Sequence, residues 1–110
     1  MFAKIKDSNK INYLVRNAKK IHSKDFVLFF DCKNIMKTEI VIIVPKKKFK
    51  KAVDRNYIKR QITAILIQSK ILDTLTGNYS LIIMVKETYN TNNFLTNKKN
   101  ILSLFQKLGG

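Results

Sequence analysis

The 110-residue chain has very little glycine, proline or cysteine: three, one and one of these residues. Because the only glycines are Gly77, Gly109 and Gly110, the sequence contains no glycine-rich loop that could cradle a phosphate. A single cysteine, Cys32, supports neither a disulfide framework nor a cysteine metal cluster. No stretch rich in proline, glycine or serine interrupts the chain, so we expect a single domain over residues 1–110.

Acidic residues are also few, since seven Asp and Glu face 22 Lys and Arg, and the formal net charge is +15. A bias towards AT-rich codons would favour Glu as well as Lys, yet only Glu39 and Glu87 are present. The excess is therefore one of charge. Self-repulsion on this scale opposes compaction unless a polyanion neutralises it. The composition predicts a nucleic acid as partner, in preference to an anionic membrane surface or a solvated basic surface.

Signals for catalysis, metal binding and membrane insertion are missing. The one histidine, His22, lies near lysines with only Asp25 close in sequence, and the seven carboxylates show no metal-motif spacing. We expect no catalytic residue and no metal ligand in the protein. No stretch approaches the roughly 18 apolar residues of a transmembrane helix, and the N-terminus lacks a signal-peptide apolar segment. These features predict a cytoplasmic protein.

Hydrophobic periodicity predicts an α+β fold in which a small mixed sheet of about four strands packs with three helices. Strands are expected near His22 and over residues 25–32, 39–44 and 78–85, and helices over residues 9–18, 52–70 and 94–108. The unbroken β-branched run of residues 39–44 predicts a central strand covered on both faces. Alternation in residues 25–32 places Phe26, Leu28 and Phe30 on one face, and Val27 and Phe29 on the other.

The most informative stretch is residues 46–60, KKKFKKAVDRNYIKR, in which eight of fifteen residues are basic. On a helical wheel, an arc of about 140° contains Arg55, Asn56, Lys59, Arg60 and Thr63. A second face contains Tyr57, Ile58, Ile62 and Ile65, and beyond Ile62 the helix is apolar nearly all round, which predicts deeper packing. Segregated cations are not typical of a solvated, ion-paired helix. We predict RNA contact by Lys46, Lys47, Lys48, Lys50, Lys51, Arg55, Asn56, Lys59 and Arg60.

The segment KAVDRNYIKRQI resembles the signature of the bacterial ribonuclease P protein family, an Arg-Asn-Arg-x-Lys-Arg helix after a lysine-rich strand exit. Arg55, Asn56, Lys59 and Arg60 match this pattern, whereas Tyr57 stands where a second arginine is usual. Residues 4–6, 26–29, 40–44 and 79–85 resemble the family's N-terminal motif and its strands, in the same order. The resemblance covers about residues 4–107 and is carried by this order as well as by the central motif.

The resemblance implies a ribosomal-protein-like domain with the signature helix in a left-handed βαβ crossover. It also implies the protein subunit of an endonuclease whose catalytic RNA hydrolyses precursor tRNA to give the mature 5′ end. The RNA subunit would hold the Mg²⁺ ions, and the partners would be that RNA and precursor tRNA, with neither DNA nor a membrane. A cleft between the first helix and the sheet would hold the 5′ leader with Ile11, Val15, Phe29, Lys59 and Thr63.

Three cleft positions depart from the family, which favours aromatic residues at Ile11 and Val15 and a basic residue at Thr63. Leader stacking is expected to be weaker, because a stack between a base and an aromatic ring is worth about 1–3 kcal/mol. Two other functions remain open. A ribosomal protein or general RNA chaperone on a similar fold would bind unrelated structured RNAs equally well. A stand-alone nuclease would cleave RNA without an RNA subunit.

Overall fold

A computed structural model describes residues 3–32, 36–75 and 77–109 and confirms the α+β class with three helices. In chain order the elements are β1 (Ala3–Lys4), α1 (Ser8–Asn17), β2 (Lys19–His22), β3 (Phe26–Asp31), β4 (Glu39–Ile43), α2 (Ala52–Ser69), β5 (Ser80–Val85) and α3 (Phe94–Gly109). A 3₁₀ turn over Ile71–Thr74 follows α2. Within these ranges, no helix combines the length and the apolar character needed to cross a membrane.

The sheet is mixed and has the strand order β1-β4-β5-β3-β2. β1 and β5 both run parallel to β4, while β3 runs antiparallel to β5 and to β2. The strand expected near His22 is present as β2. The fifth strand, β1, is only two residues long and therefore too short to give a hydrophobic pattern in the sequence. Because α2 joins the parallel neighbours β4 and β5, the signature helix forms a βαβ crossover.

The prediction that residues 39–44 form a central strand is wrong for most of their length. β1 pairs only with Glu39 and Ile40, so the rest of β4 forms an edge of the sheet, and its last three residues are half-buried. The central strand of the five is β5, with five of its six residues buried. A β-branched run shows that both faces of a strand contact apolar side chains. It carries no information about the strand's lateral position in the sheet.

The two faces of the sheet have separate apolar clusters. Phe26 and Leu28 pack against residues of α2 and α3, including Ile62 and Phe105, while Phe29 and Ile82 pack on the other face against α1. This confirms the predicted alternation along β3. Since complete burial of a large apolar side chain contributes about 1.5–3 kcal/mol, the first cluster fixes α2 firmly against the sheet and leaves its opposite side free for other contacts.

A buried polar network also positions α2. Gln61 accepts a hydrogen bond from the Tyr89 hydroxyl and donates one to the Thr91 carbonyl over 3.0 Å. The Asn97 amide donates to Gln61 over 3.2 Å and to the Asn90 carbonyl over 2.7 Å. Burial raises the pKa of Tyr89 well above its usual range. The network ties the signature helix to the connection between β5 and α3, a role for Gln61 that the sequence pattern did not reveal.

Candidate nucleic-acid interface

The lysine-rich loop before α2 is folded back by a tight turn. The Pro45 carbonyl accepts hydrogen bonds from the backbone N–H groups of Lys48 and Phe49 over 3.2 and 3.0 Å. Phe49 is half-buried against the core and anchors the loop. The lysines around it remain exposed, and together with the outer side of α2 they form what we call the cation face: Lys46, Lys47, Lys48, Lys50, Lys51, Asn56, Lys59 and Arg60.

The N-terminus of α2 adds to the positive potential of this face. Its N-cap residue is Lys51, which makes no capping hydrogen bond because a lysine side chain has no acceptor. The first helical N–H groups therefore receive no side-chain oxygen from the cap position, and they lie at the positive end of the helix dipole. Asp54 in the first turn offsets part of this charge. The arrangement favours a phosphate near Lys50 and Lys51.

Arg55 differs from the other predicted contacts because it is half-buried and bonded within the protein. Its Nη1 atom donates to the carbonyl oxygens of Phe49 and Lys50 over 2.8 and 2.9 Å. These bonds fix the lysine loop to the helix and are of the stronger, charge-assisted kind. Nη1 carries two of the five guanidinium N–H groups, so three remain for an external acceptor. On the helical wheel, Arg55 lies at the end of the basic arc that adjoins the buried face. This position is the one indication in the sequence that its side chain bonds within the protein.

Tyr57 does not lie on the buried face, contrary to the prediction from the helical wheel. It is 55% exposed, whereas its neighbour Ile58 is 2% exposed. Consecutive helical residues are separated by about 100°, and Gln61 takes the buried position one turn further along. The structure therefore places an exposed aromatic ring beside Asn56 and Arg60, at the position where the family usually has an arginine.

Three of the predicted cleft residues meet between α1 and the sheet. Ile11 and Val15 are half-buried on α1 and pack against the cluster that contains Phe29. The Phe29 ring is only 5% exposed, and the Lys20 ammonium lies 5.4 Å from its centroid. As folded here, Phe29 has little surface to offer a nucleobase. The accessible apolar surface on this side belongs to the half-buried residues, including Val41 of β4.

The other two predicted cleft residues, Lys59 and Thr63, lie elsewhere. They line a cavity of about 720 Å³ between α2 and the outer edge of β4. Val41 takes part in both places, since it lines the cavity and also packs with the α1-side cluster. The structure therefore arranges the five residues as two neighbouring groups, one on each side of the β4 edge.

Two acidic side chains, Asp25 and Glu39, contribute to the fold. Asp25 accepts a hydrogen bond from the Thr88 hydroxyl over 2.7 Å, and Glu39 forms an ion pair with Lys10. Over residues 3–32, 36–75 and 77–109, no three or more His, Cys, Asp and Glu side chains come together in a way that could hold a metal ion.

The fold and the cation face define a class: small, basic α+β proteins whose crossover helix is suited to binding a polyanion. A family model described as Ribonuclease P matches residues 2–109. The ribonuclease P protein component of Ureaplasma urealyticum is 32% identical over 107 residues, covering 97% of this chain and 88% of that protein. That of Mycoplasmopsis pulmonis is 31% identical over 94 residues, covering 86% and 80%.

Solved structures agree on the fold. The RNase P protein from Thermotoga maritima superimposes with a TM-score of 0.79 at 19% identity, covering 97% of this chain and 98% of that one. The Staphylococcus aureus RNase P protein gives a TM-score of 0.76 at 20% identity, covering 96% and 94%. The chain belongs to the ribonuclease P protein family, as its motifs predicted, and is a protein subunit of that enzyme.

Proposed function

We propose that this subunit binds the catalytic RNA of ribonuclease P through the cation face and helps to hold the 5′ leader of precursor tRNA. The observation that carries the proposal is the segregation of charge. Five lysines of one folded loop and the exposed side of α2 form a single surface, while the opposite side of α2 is anchored in the core. A rigid surface of this kind suits a phosphate backbone of fixed shape.

The contribution of the protein in this proposal is electrostatic. Catalytic RNA and precursor tRNA are both polyanions, and the protein lowers their repulsion while releasing condensed counterions. The RNA subunit holds Mg²⁺ and performs the hydrolysis, and added positive charge reduces the Mg²⁺ concentration that the complex needs. Most contacts come from lysines, which act as point charges without the planar fork with which arginine reads phosphate geometry.

The leader is proposed to lie beside α1, where Ile11, Val15 and Val41 offer half-buried apolar surface. With Phe29 covered, these aliphatic side chains supply contact without aromatic stacking. Leader recognition by this group should therefore be weak in comparison with the charge-based binding of the catalytic RNA.

Reconstitution tests the proposal. Cleavage of precursor tRNA by the cognate catalytic RNA is measured at low Mg²⁺, with and without the protein. The measurement is repeated with precursor tRNAs whose leaders differ in length. We expect faster cleavage and an affinity that rises with leader length. The absence of any rate gain would refute the proposal. Equal affinity for unrelated structured RNAs without leader dependence would favour an RNA chaperone, and Mg²⁺-dependent cleavage by RNA-free protein would favour a nuclease.

A further inference from the structure

The exposed apolar side chains of α2 and α1 differ in their surroundings. Ile67 of α2 is 59% exposed, so the expectation that the second half of this helix is deeply packed is wrong at Ile67. It lines the cavity between α2 and β4 and belongs with the predicted cleft residues there. Tyr13 of α1 is 47% exposed and lies on the side of α1 opposite to Ile11 and Val15. Its ring is therefore outside both of the RNA-binding surfaces proposed for the chain.

The outer side of α1 combines this ring with amides and an arginine. Ile11, Leu14 and Val15 occupy the inner side, which packs on the sheet. The ten residues of α1 include no Asp or Glu, and the exposed Lys19 and Lys20 follow the helix directly. Five exposed residues share an outer arc of about 140°, which we call the α1 platform: Asn9, Asn12, Tyr13, Arg16 and Asn17.

The platform is held firmly although α1 has only ten residues. Leu14 is buried beneath it, with 2% of its surface exposed. At the start of the helix the Asp7 carboxylate accepts a hydrogen bond from the Asn9 backbone N–H over 2.9 Å, and Lys10 forms an ion pair with Glu39 of β4. The platform therefore has a fixed position relative to the sheet.

Helix stability accounts for only part of the composition of the platform. A cation at Arg16 lies in the last turn, where the negative end of the helix dipole favours it. Tyrosine and asparagine, in contrast, are poorer helix formers than alanine, lysine or glutamine. Tyr13 nevertheless has an asparagine one turn before it and another one turn after it, at Asn9 and Asn17. These three side chains need an explanation other than the stability of the helix.

The chemistry of the platform suits unpaired nucleotides of RNA. An aromatic ring and a guanidinium plane both stack on exposed bases, and carboxamides form hydrogen bonds with base edges. Residues three or four apart on a helix are neighbours, so a base on the Tyr13 ring is within reach of Asn9, Asn17 or Arg16. The nearby Lys19 and Lys20 favour the phosphates of the same strand. A protein partner is a poorer match, because the platform offers one ring and no second apolar anchor.

The α1 platform and the cation face lie on opposite sides of the sheet, since α1 packs on Phe29 and Ile82 whereas α2 packs on Phe26 and Leu28. The molecule measures 36 × 29 × 22 Å, so two segments of one folded RNA can contact both sides. Once the cation face is bound, contact with a second segment of the same RNA is intramolecular and therefore favoured.

We propose that the α1 platform binds unpaired nucleotides of the catalytic RNA, with one base stacked on Tyr13, and that the subunit thereby joins two segments of that RNA. The inference rests on the proposed function, because the cation face has to hold the same RNA molecule.

Binding of the whole protein to the catalytic RNA, measured without precursor tRNA, tests the inference. We expect Tyr13→Ala to raise the Kd about tenfold, because one base loses its stacking partner. Tyr13→Phe keeps the ring and should bind as the unmodified protein does, while Arg16→Ala should bind more weakly. Leu95→Ala is the matched control, since Leu95 is 79% exposed on α3, outside both surfaces, and its loss should leave the Kd unchanged. Circular dichroism should show the same fold in all four variants, because each changed side chain is exposed.

Nuclease protection of the catalytic RNA locates the second contact. The unmodified protein should protect two separate segments, of which Tyr13→Ala loses one and Arg60→Ala, on the cation face, loses the other. An unchanged Kd and unchanged protection in both Tyr13→Ala and Arg16→Ala would overturn the inference while the proposed function stands. An unmodified protein that fails to bind the catalytic RNA would instead overturn the proposed function. If Tyr13→Ala weakened binding only of precursor tRNA, that RNA would occupy the platform and the assignment to catalytic RNA would be wrong.

Discussion

Arg55 combines two roles that its sequence motif does not separate, because its guanidinium both carries charge and holds the lysine loop. We predict that Arg55→Ala lowers the free energy of unfolding by about 1–3 kcal/mol, since two charge-assisted hydrogen bonds to carbonyls are lost. Arg60→Ala, on the exposed side of the same helix, should change stability by less than about 0.5 kcal/mol and weaken RNA binding. Urea denaturation of both variants measures the difference, and equal stabilities would show that the Arg55 bonds contribute nothing.

Tyr57 is the residue at which this chain departs most clearly from its family's signature. We predict that Tyr57→Arg leaves the fold intact, because the side chain is exposed, and strengthens catalytic-RNA binding. One added phosphate contact should steepen the slope of log affinity against log salt by about one. Tyr57→Ala distinguishes stacking from charge. If Tyr57 stacks on a base, this variant binds more weakly than the unmodified protein, and if it does not, the two bind alike.

At the scale of elements, α2 depends on the buried network around Gln61 and Tyr89. The Tyr89 pKa is raised from its ordinary 10.0 by burial, so the folded state keeps a proton that the unfolded chain releases. The contribution of protonated Tyr89 to the free energy of unfolding is therefore fully present below pH 10 and declines as the pH rises above it. We predict a Tm that falls as the pH rises above 10 and a smaller decline in Tyr89→Phe, measured by circular dichroism. Parallel declines in the two proteins would exclude Tyr89 as the cause.

The sequence predicted the three helices and the three longer strands because each carries its own apolar pattern, and it also predicted the short strand near His22. It did not reveal β1, since two residues have no period, nor the edge position of β4, since lateral neighbours leave no trace in side-chain type. The cation face followed from residue spacing alone. The burial of Arg55, the cover over Phe29 and the separation of Lys59 and Thr63 from α1 depend on contacts between distant segments, which spacing cannot encode.

At the scale of the whole molecule, charge opposes folding in the free protein. With 22 basic and seven acidic residues, the compact state repels itself. We predict that NaCl raises the Tm of the isolated protein, because screening shortens the range of repulsion to about 10 Å at 0.1 M. The same salt should weaken RNA binding, so stability and affinity respond in opposite directions. Calorimetry with and without salt measures the first effect, and a Tm that falls with salt would contradict the prediction.

The position of β5 has a consequence for how the chain is made. It is the last strand in sequence and the central strand in space, pairing with β4 on one side and β3 on the other. During synthesis, β3 and β4 therefore leave the ribosome before the strand that joins them exists, and the basic residues of the cation face also leave before β5. The chain can meet the RNA around it before its sheet is complete, so assembly with RNA can begin during translation.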